Sequence, residues 1–195
     1  MVAIVFLWRP WLQHRRHGSS GILLFRSGGR AQKARDGLAV VLLVLLLGQA
    51  IVAAGWPEAL PLSQADRRSA PGIRHGMGAV LLFGGLLLLV AGQLNLGASW
   101  RIGIEEGAKP GLITGGLYRF CRNPIFLALL VILAGYTLLL PTLLSAVMLA
   151  GAYLAIRQQI AAEETYLSRA YGEDYRDYAR RVGRLLPGIG KLKGD

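Results

Sequence analysis

The sequence predicts an all-α, polytopic membrane protein with about four to five transmembrane helices and a cytoplasmic helical cap at its C-terminal end. Of its 195 residues, 53% are hydrophobic and only 17% are charged, whereas soluble chains carry about 25% charged residues. The apolar residues form runs that almost exclude charge, which is the pattern of membrane-spanning helices. Neither a GxGxxG motif nor a P-loop motif occurs, so the sequence predicts no Rossmann domain.

The first predicted region, 1–97, is an N-terminal membrane region with two spans at about 37–55 and 76–96, each without a charged residue. At 1.5 Å per residue, either length crosses most of a hydrocarbon core about 30 Å thick. The apolar stretch 1–12 is too short to span the bilayer, which predicts an interfacial anchor or a frayed end. The basic stretch 13–36 is predicted to be a loop.

The second predicted region, 98–195, holds a polar connector, a helical hairpin over 124–156 and the C-terminal helices. Asn123 is a suitable N-cap residue for the first helix of the hairpin. Pro124 suits the first helical position, because the N–H that proline lacks is not needed there. The connector therefore ends, and the third span begins, between these two residues.

The last long helix is predicted to continue beyond the membrane. Ile160, Glu163 and Leu167 follow one another at intervals of three and four residues, which places them on one helix face. Gly172 is a suitable helix terminator, and a short second helix over 173–181 is predicted to follow it. Glu163 thus occupies a position on an apolar stripe where a leucine would be ordinary.

The distribution of positive charge predicts the orientation. The formal net charge is +11, and Lys and Arg number seven before the first span, three between the first two spans, four in the connector and eight after the hairpin. Because Lys and Arg accumulate on the cytoplasmic side, we expect both termini and the connector there, in a bacterial inner (plasma) membrane. The basic segments favour anionic membrane lipids, and not nucleic acid, as partners.

Cysteine and histidine are too few and too scattered to indicate a metal centre. The single Cys121 excludes an intrachain disulfide and a cysteine metal cluster. The three His residues have no ligand spacing such as HExxH. The sequence therefore predicts no metal site.

Two polar segments, 110–126 and 158–178, are predicted to meet on the cytoplasmic face and to hold the chemistry. Glu163 of the second segment needs a partner if its helix face is buried, because an isolated buried carboxylate is costly. One interpretation pairs Glu163 with Arg119 or Arg122 and joins the helix to the connector. The other has Glu163 bind the hydroxyls or the cation of a ligand, and the two are compatible.

The first segment concentrates groups that suit a nucleoside-like ligand. Aromatic rings stack on bases and attract a sulfonium, and guanidinium groups bind carboxylates in a bidentate manner. An interfacial loop without a ligand would have a similar composition. The glycines, rings and guanidinium groups in question are Gly111, Gly115, Gly116, Tyr118, Phe120, Phe126, Arg119 and Arg122.

The order of these motifs resembles that of the isoprenylcysteine carboxyl methyltransferase family, which groups with the membrane phospholipid methyltransferases. The resemblance covers about 98–187. The residues that carry it are Thr114-Gly115-Gly116-Leu117-Tyr118-Arg119, Arg122-Asn123-Pro124-Ile125-Phe126, Glu163-Glu164, and Tyr171-Gly172-Glu173 with Tyr175 and Tyr178.

The resemblance implies an S-adenosylmethionine-dependent methyltransferase built from membrane helices. It implies a lipophilic acceptor, either a prenylcysteine-like carboxylate or a lipid headgroup. Three positions depart from the family: Asn123 replaces a histidine, Phe126 a tyrosine, and Gln159 an arginine implicated in binding the substrate carboxylate. The cofactor-binding residues carried over are Pro110, Gly111, Leu112, Ile113, Tyr118, Arg119, Asn123, Pro124, Ile125, Phe126 and Glu163.

Two further residues are candidates for the reaction itself. Arg122, like Arg119, is a candidate for holding a carboxylate, and Glu164 is the candidate base if the acceptor is an amine or a phenol. Two other classes of protein remain open at this point. One is an NADPH-dependent membrane reductase of related architecture, and the other is a non-enzymatic membrane protein.

Overall fold

The computed structural model describes residues 7–17, 25, 29–60, 72–97 and 111–193, and within these ranges the regular structure is helical. An isolated bridge between Cys121 and Gly183 is the one β-type pairing in the described residues. The predicted all-α class is confirmed. In chain order the α-helices are α1 (Arg9–His17), α2 (Arg30–Gly55), α3 (Ile73–Leu96), α4 (Pro124–Leu139), α5 (Leu143–Tyr171) and α6 (Glu173–Arg181).

Three of these helices, α2, α3 and α5, are long and apolar enough to cross a membrane. The fourth apolar helix, α4, has 16 residues and is therefore about 24 Å long, shorter than a hydrocarbon core of about 30 Å. Many large apolar side chains on α2, α3 and α5 are exposed, as they are on faces that contact lipid. The chain is an integral membrane protein with several apolar helices.

The prediction that 13–36 is a loop is wrong for 13–17 and 30–36, and 18–24 and 26–28 lie outside the described residues. Residues Arg9–His17 form α1, and α2 begins at Arg30, seven residues before the predicted span. Hydrogen bonds to other helices, and not an apolar sequence, stabilise these polar turns. Arg9 is buried and donates hydrogen bonds to the carbonyls of Gln93 and Gly97, which lie at the C-terminal end of α3. Residues 1–6 of the predicted interfacial stretch lie outside the described residues.

The tightest packing in the bundle joins α3 to α4. Gly78, Gly85 and Gly92 follow one another at seven-residue intervals on the α3 face that meets α4. A Cβ on Gly85 would lie 2.7 Å from Ile132 Cγ1 and 3.0 Å from its backbone nitrogen. Such a row of small residues lets two membrane helices approach closely. The pair buries a core of Leu89, Ala128 and Ile132.

Helices α2 and α5 pack antiparallel. At one end Gln49 Nε2 donates to Thr142 Oγ1 at 2.5 Å, and in the middle Gly151 lies opposite Leu42. At the other end Arg35 Nε donates to Gln159 Oε1 at 2.9 Å. The beginning of α2 therefore lies beside the part of α5 that follows its apolar section.

The predicted ends of the hairpin helices are confirmed except for one cap. Pro124 occupies the first position of α4, but no side chain caps that helix. The Asn123 side chain instead donates to the carbonyl of Arg184 at 3.0 Å. Helix α5 ends at Tyr171, and Gly172 has a φ of +57°, which a residue with a side chain rarely adopts.

The helical cap at the C-terminal end is present and packs on the connector. Tyr175, Tyr178, Ala179 and Val182 form a buried apolar cluster. Leu112, Leu167 and Tyr171 pack against it. The cap thereby joins the connector to α5. The division of the chain into regions 1–97 and 98–195 remains a prediction, and residues 98–100 lie outside the described ranges.

Candidate functional site

The candidate site lies where the connector, the end of α5 and α6 meet. The backbone N–H of Gly111 donates to Tyr171 Oη at 3.1 Å. Tyr178 Oη donates to the carbonyl of Tyr118 at 2.6 Å. Both hydrogen bonds span 60 residues of sequence, so the connector is held against the last two helices at two points.

The turn before Tyr118 requires one glycine. Gly116 begins a 3-10 turn, Gly116–Arg119, and has a φ of +59°. The space that a Cβ would fill there is occupied by the side chain of Asn95 at the end of α3. Asn95 Oδ1 accepts a hydrogen bond from the backbone N–H of Leu117 at 2.7 Å. The glycine therefore fixes the turn against α3 and places Tyr118 inside.

Glu163 and Tyr118 lie close to each other in the structure. Tyr118 is buried, and burial raises the pKa of its phenol, with the negative charge of Glu163 raising it further. Glu163 is half-buried and accepts a hydrogen bond from Gln159 Nε2 at 2.8 Å. The predicted connector and helix segments thus place Tyr118 and Glu163 in the same region of the structure.

Within the described residues, the guanidinium of Arg122 pairs with Glu164 and not with Glu163, the partner that the first interpretation expected. Arg122 Nη2 lies 2.7 Å from Glu164 Oε1, and Nε donates to the same oxygen at 3.1 Å. The helix turns by about 100° between adjacent residues, so neighbouring glutamates face different partners. Glu164 meets the guanidinium, and Glu163 faces Gln159 and Tyr118.

Arg122 uses all of its donors within the protein. Besides the two hydrogen bonds to Glu164, Nη1 donates to the carbonyls of Ala179 at 2.7 Å and Val182 at 2.9 Å. Nη2 also donates to the carbonyl of Gly190 at 3.1 Å. The side chain is only 3% exposed. A guanidinium saturated in this way holds the C-terminal segment and has no donor left for a ligand.

Glu164 is shared between two guanidinium groups. Its second oxygen, Oε2, lies 2.6 Å from Arg184 Nη2, and its side chain is 14% exposed. A carboxylate held by Arg122 and Arg184 would have to break an ion pair before it could take a proton from an acceptor. The geometry therefore favours a structural role for Glu164 over the predicted role as a base.

Three other predicted cofactor-binding residues, Arg119, Pro124 and Ile125, differ in where their side chains lie. Arg119 is exposed, with its guanidinium 4.5 Å from the centre of the Phe120 ring. The side chains of Pro124 and Ile125 pack towards Gly92 of α3, and Pro124 is buried whereas Ile125 is half-buried. Their positions agree with the hairpin prediction but do not support side-chain contacts to a cofactor.

The remaining predicted positions lie near the same junction. Gly111 is exposed and has a φ of +94°. Leu112 packs on the tyrosine cluster of the cap, and Ile113 and Phe126 are half-buried. Pro110 lies outside the described residues. Among the described side chains, no group of three or more His, Cys, Asp or Glu is arranged to hold a metal ion.

Sequence reasoning missed Arg184 and Asn95, and it named Tyr171 only as a motif residue without its contact to the connector. Arg184 and Tyr171 act over 20 and 60 residues of sequence, and no short motif encodes such contacts. Asn95 had a readable signal, since an amide near the end of an apolar helix needs a partner. Hydrogen bonds and ion pairs between distant segments are therefore more numerous at the polar end of the bundle than the motifs alone indicated.

The fold and the site define a class of protein. It is a helical membrane protein whose polar groups gather at one end of the bundle, between a connector and a short helical cap. The phospholipid methyltransferase family model matches residues 73–174, which is more than half of the chain and includes Tyr118, Arg122, Glu163 and Glu164 of the site. The chain belongs to the phospholipid methyltransferase family.

Individual relatives agree with this assignment. The chain is 28% identical over 127 residues to protein-S-isoprenylcysteine O-methyltransferase A of Arabidopsis thaliana, covering 60% of this chain and 64% of the relative. It is 29% identical over 141 residues to the Rattus norvegicus protein-S-isoprenylcysteine O-methyltransferase, covering 71% of this chain and 46% of the relative. The chain thus spans about half to two thirds of the length of these relatives.

A solved structure has a similar fold. A eukaryotic intramembrane Ras methyltransferase, isoprenylcysteine carboxyl methyltransferase, matches with a TM-score of 0.61 and 19% sequence identity, covering 95% of this chain and 62% of the other. The resemblance inferred from the connector and the last helices is confirmed. At this level of identity, the match establishes the fold.

Proposed function

We propose that the protein is an integral membrane methyltransferase that transfers a methyl group from S-adenosylmethionine to a lipophilic acceptor. The observation that carries the proposal is the hydrogen-bonded contact of the connector with the last two helices, which brings Tyr118 near Glu163. Both residues lie within 73–174, the segment that the family model matches. The isoprenylcysteine methyltransferase names of the two relatives support the same reaction class.

The residues present fit the cofactor. Glu163 supplies a half-buried carboxylate for the hydroxyl or ammonium groups of the cofactor. The N-terminal end of α4 has no side-chain cap, so its backbone N–H groups and dipole suit the methionine carboxylate. The exposed backbone at Gly111 permits a close approach. When bound, S-adenosylmethionine supplies a methyl group activated by a positively charged sulfur.

The protein contributes mainly by positioning. A carboxylate acceptor needs no base, and methyl transfer in line depends on alignment and on exclusion of water. Arg122 and Glu164 are proposed to position the C-terminal segment around the site, because their hydrogen bonds are used within the protein. Neither residue contacts the reacting atoms in this proposal, which replaces the catalytic roles expected from the sequence.

The acceptor is proposed to enter from the membrane, and the polar cofactor from the cytoplasm. A prenylcysteine-like carboxylate and a lipid headgroup both combine a hydrocarbon tail with a polar end, as this route requires. The count of positive charges supports both termini and the connector on the cytoplasmic side, and the proposed location is a bacterial inner membrane. The site would then lie at the cytoplasmic surface, within reach of both substrates.

A labelled-methyl assay tests the proposal. Detergent-purified protein is incubated with S-adenosylmethionine carrying a tritiated methyl group and with a total membrane lipid extract, and the organic phase is counted. We expect label in a lipid fraction with the wild type and a loss of at least tenfold with Glu163→Gln. Absence of label together with tight NADPH binding would contradict the proposal and favour a reductase. Absence of label and of binding to either cofactor would favour a non-enzymatic protein.

A further inference from the structure

The beginning of α2 carries a hydrogen-bonded chain that leads to the candidate site. Arg35 Nε donates to Gln159 Oε1 at 2.9 Å. The other end of the same amide, Gln159 Nε2, donates to Glu163 Oε1 at 2.8 Å. The guanidinium of Arg35 is therefore two hydrogen bonds away from the carboxylate proposed to hold the cofactor, although 124 residues separate Arg35 from Gln159.

Buried polar groups hold Arg35 in place from the other side. Arg35 Nη2 donates to Gln32 Oε1 at 2.6 Å, and Gln32 Nε2 donates to Asp36 Oδ1 at 2.7 Å. Gln32 and Asp36 are each only 5% exposed. Asp36 Oδ2 in turn accepts from the backbone N–H of Phe25 at 2.9 Å. This network fixes the direction of the guanidinium before any ligand arrives.

Some N–H donors of the Arg35 guanidinium have no acceptor among the described residues. It has five N–H groups, and two of them are used by Gln159 and Gln32. In the described part of the chain, no acceptor meets the other three, and no carboxylate lies within ion-pair distance of Arg35. Arg122 differs in this respect, because its five donors are all used within the protein. Arg35 is thus a rigid cation with unused hydrogen-bonding capacity.

An uncovered apolar strip runs from Arg35 along α2. Arg35, Leu42 and Gln49 face α5 at seven-residue intervals. Leu38 and Leu45 lie about 50° to one side of that row and are 42% and 41% exposed. Val44 and Ile51 on α2 are also exposed, at 62% and 64%, so the helix presents apolar side chains to lipid below the positive charge of Arg35.

We propose that Arg35 binds the anionic group of the lipophilic acceptor, whose hydrocarbon tail stays in the surrounding lipid. The inference rests on the proposed methyltransferase function and adds the specificity-determining cation. The shared chemistry is a carboxylate or phosphate on a hydrocarbon tail, which a guanidinium binds in a bidentate manner. An acceptor bound in this way lies beside the carboxylate of Glu163 and approaches the site from the lipid.

A binding experiment in a neutral detergent tests this assignment. The probes are N-acetyl-S-farnesylcysteine, which carries a carboxylate, and its uncharged carboxamide; dioleoyl phosphatidic acid and dioleoylglycerol form a second pair. We expect the wild type to bind at least one anion at least tenfold more tightly than its neutral partner. The pair that shows the preference distinguishes a prenylcysteine-like carboxylate from a lipid phosphate.

Three variants decide the role of Arg35. Arg35→Gln should abolish the preference for the anion, and Arg35→Lys should keep part of it, because the charge remains and the bidentate geometry is lost. Arg30→Gln, an exposed residue on the first turn of α2, is the matched control and should keep the whole preference. Equal binding of anion and neutral probe by the wild type, or an undiminished preference in Arg35→Gln, would overturn the proposal.

Binding of S-adenosylhomocysteine distinguishes a failure of the acceptor site at Arg35 from a failure of the proposed methyltransferase function. Its affinity should stay within twofold in all three variants, because Arg35 contacts the acceptor and not the cofactor. A matching loss of S-adenosylhomocysteine affinity in Arg35→Gln would assign Arg35 to the cofactor site or to the fold, and would overturn the inference. Absence of S-adenosylhomocysteine binding in the wild type would instead contradict the proposed function itself.

Discussion

Among single residues, Arg122 carries the largest set of contacts at the site. Its guanidinium joins the connector to Glu164 of α5 and to three carbonyls of the C-terminal segment. The cost of burying that charge is offset by five hydrogen bonds and an ion pair. Because a buried charge left without its partner is costly, Arg122 and Glu164 form a unit in which either residue depends on the other.

Removing Arg122 should destabilise the protein strongly. We expect Arg122→Leu to lower the free energy of unfolding by about 3–5 kcal/mol, because it leaves Glu164 with one partner and removes a donor from each of three carbonyls. Arg122→Lys should recover little, since an ammonium lacks the planar fork. Thermal unfolding in detergent measures the loss. Arg119→Leu is the control, because Arg119 is exposed, and an equal loss there would contradict the assignment.

The reactivity of Cys121 measures whether the C-terminal segment covers the connector. Cys121 is buried, its Sγ donates to the carbonyl of Leu185 at 3.0 Å, and burial raises the pKa of the thiol above its usual value of 9.0. The reactive thiolate is therefore scarce at pH 8. We expect iodoacetamide to leave Cys121 unmodified in native protein at pH 8 and to modify it rapidly in Arg122→Leu. Fast modification of the native protein would show that the C-terminal segment does not cover the connector.

At the scale of elements, the sequence predicted the apolar helices and the short cap well because each has a local signal. Charge-free runs locate α2 and α3, proline locates the beginning of α4, and glycine locates the end of α5. The turns of α2 that precede the apolar run were missed, because their stability comes from contacts with α5. Hydrophobic periodicity cannot predict helical turns that are polar and are stabilised by residues far away in the sequence.

The interface of α3 and α4 allows a comparison of adjacent glycines. A Cβ on Gly85 meets backbone and side-chain atoms of Ile132, whereas a Cβ on Gly84 meets nothing within 4 Å. We expect Gly85→Val to cost about 1–3 kcal/mol by overpacking, and Gly84→Val to cost little. Thermal unfolding of the two variants in the same detergent checks this. Equal stability of both variants would mean that α3 and α4 do not pack through Gly85.

For the whole molecule, the orientation follows from charge and from the packing directions of the helices. The beginning of α2, the end of α3, the connector and the cap all lie at one end of the bundle. The loop that contains Glu58 lies at the other end, since Gln49 of α2 meets Thr142 between α4 and α5. One labelling experiment can therefore assign both ends to a side of the membrane.

Cysteines introduced at the two ends should label from opposite sides. In a Cys121→Ala background, a membrane-impermeant maleimide added to intact cells should modify Glu58→Cys and spare Lys191→Cys. Both positions are exposed, so permeabilised cells should label both. Labelling of Lys191→Cys alone in intact cells would invert the proposed topology and place the site outside the cytoplasm.

The sequence predicted the region of the candidate site, but it did not predict which hydrogen bonds and ion pairs form there. The motif order placed Glu163, Tyr118 and the beginning of α4 in one region, and the structure brings Glu163 and Tyr118 together. Which glutamate pairs with Arg122 depends on helix rotation and on the path of the C-terminal segment. Likewise, Arg35 reaches the site only because α2 and α5 pack antiparallel.

Binding of S-adenosylhomocysteine, measured by calorimetry on detergent-purified protein, tests the central claim most directly. The wild type should bind, and Glu163→Gln should bind at least tenfold more weakly, a loss of about 1.4 kcal/mol. Asp174→Asn, an exposed acidic residue at the beginning of α6, should bind as the wild type does. Undiminished binding by folded Glu163→Gln, or no binding by folded wild type, would contradict a cofactor site between the connector and α5.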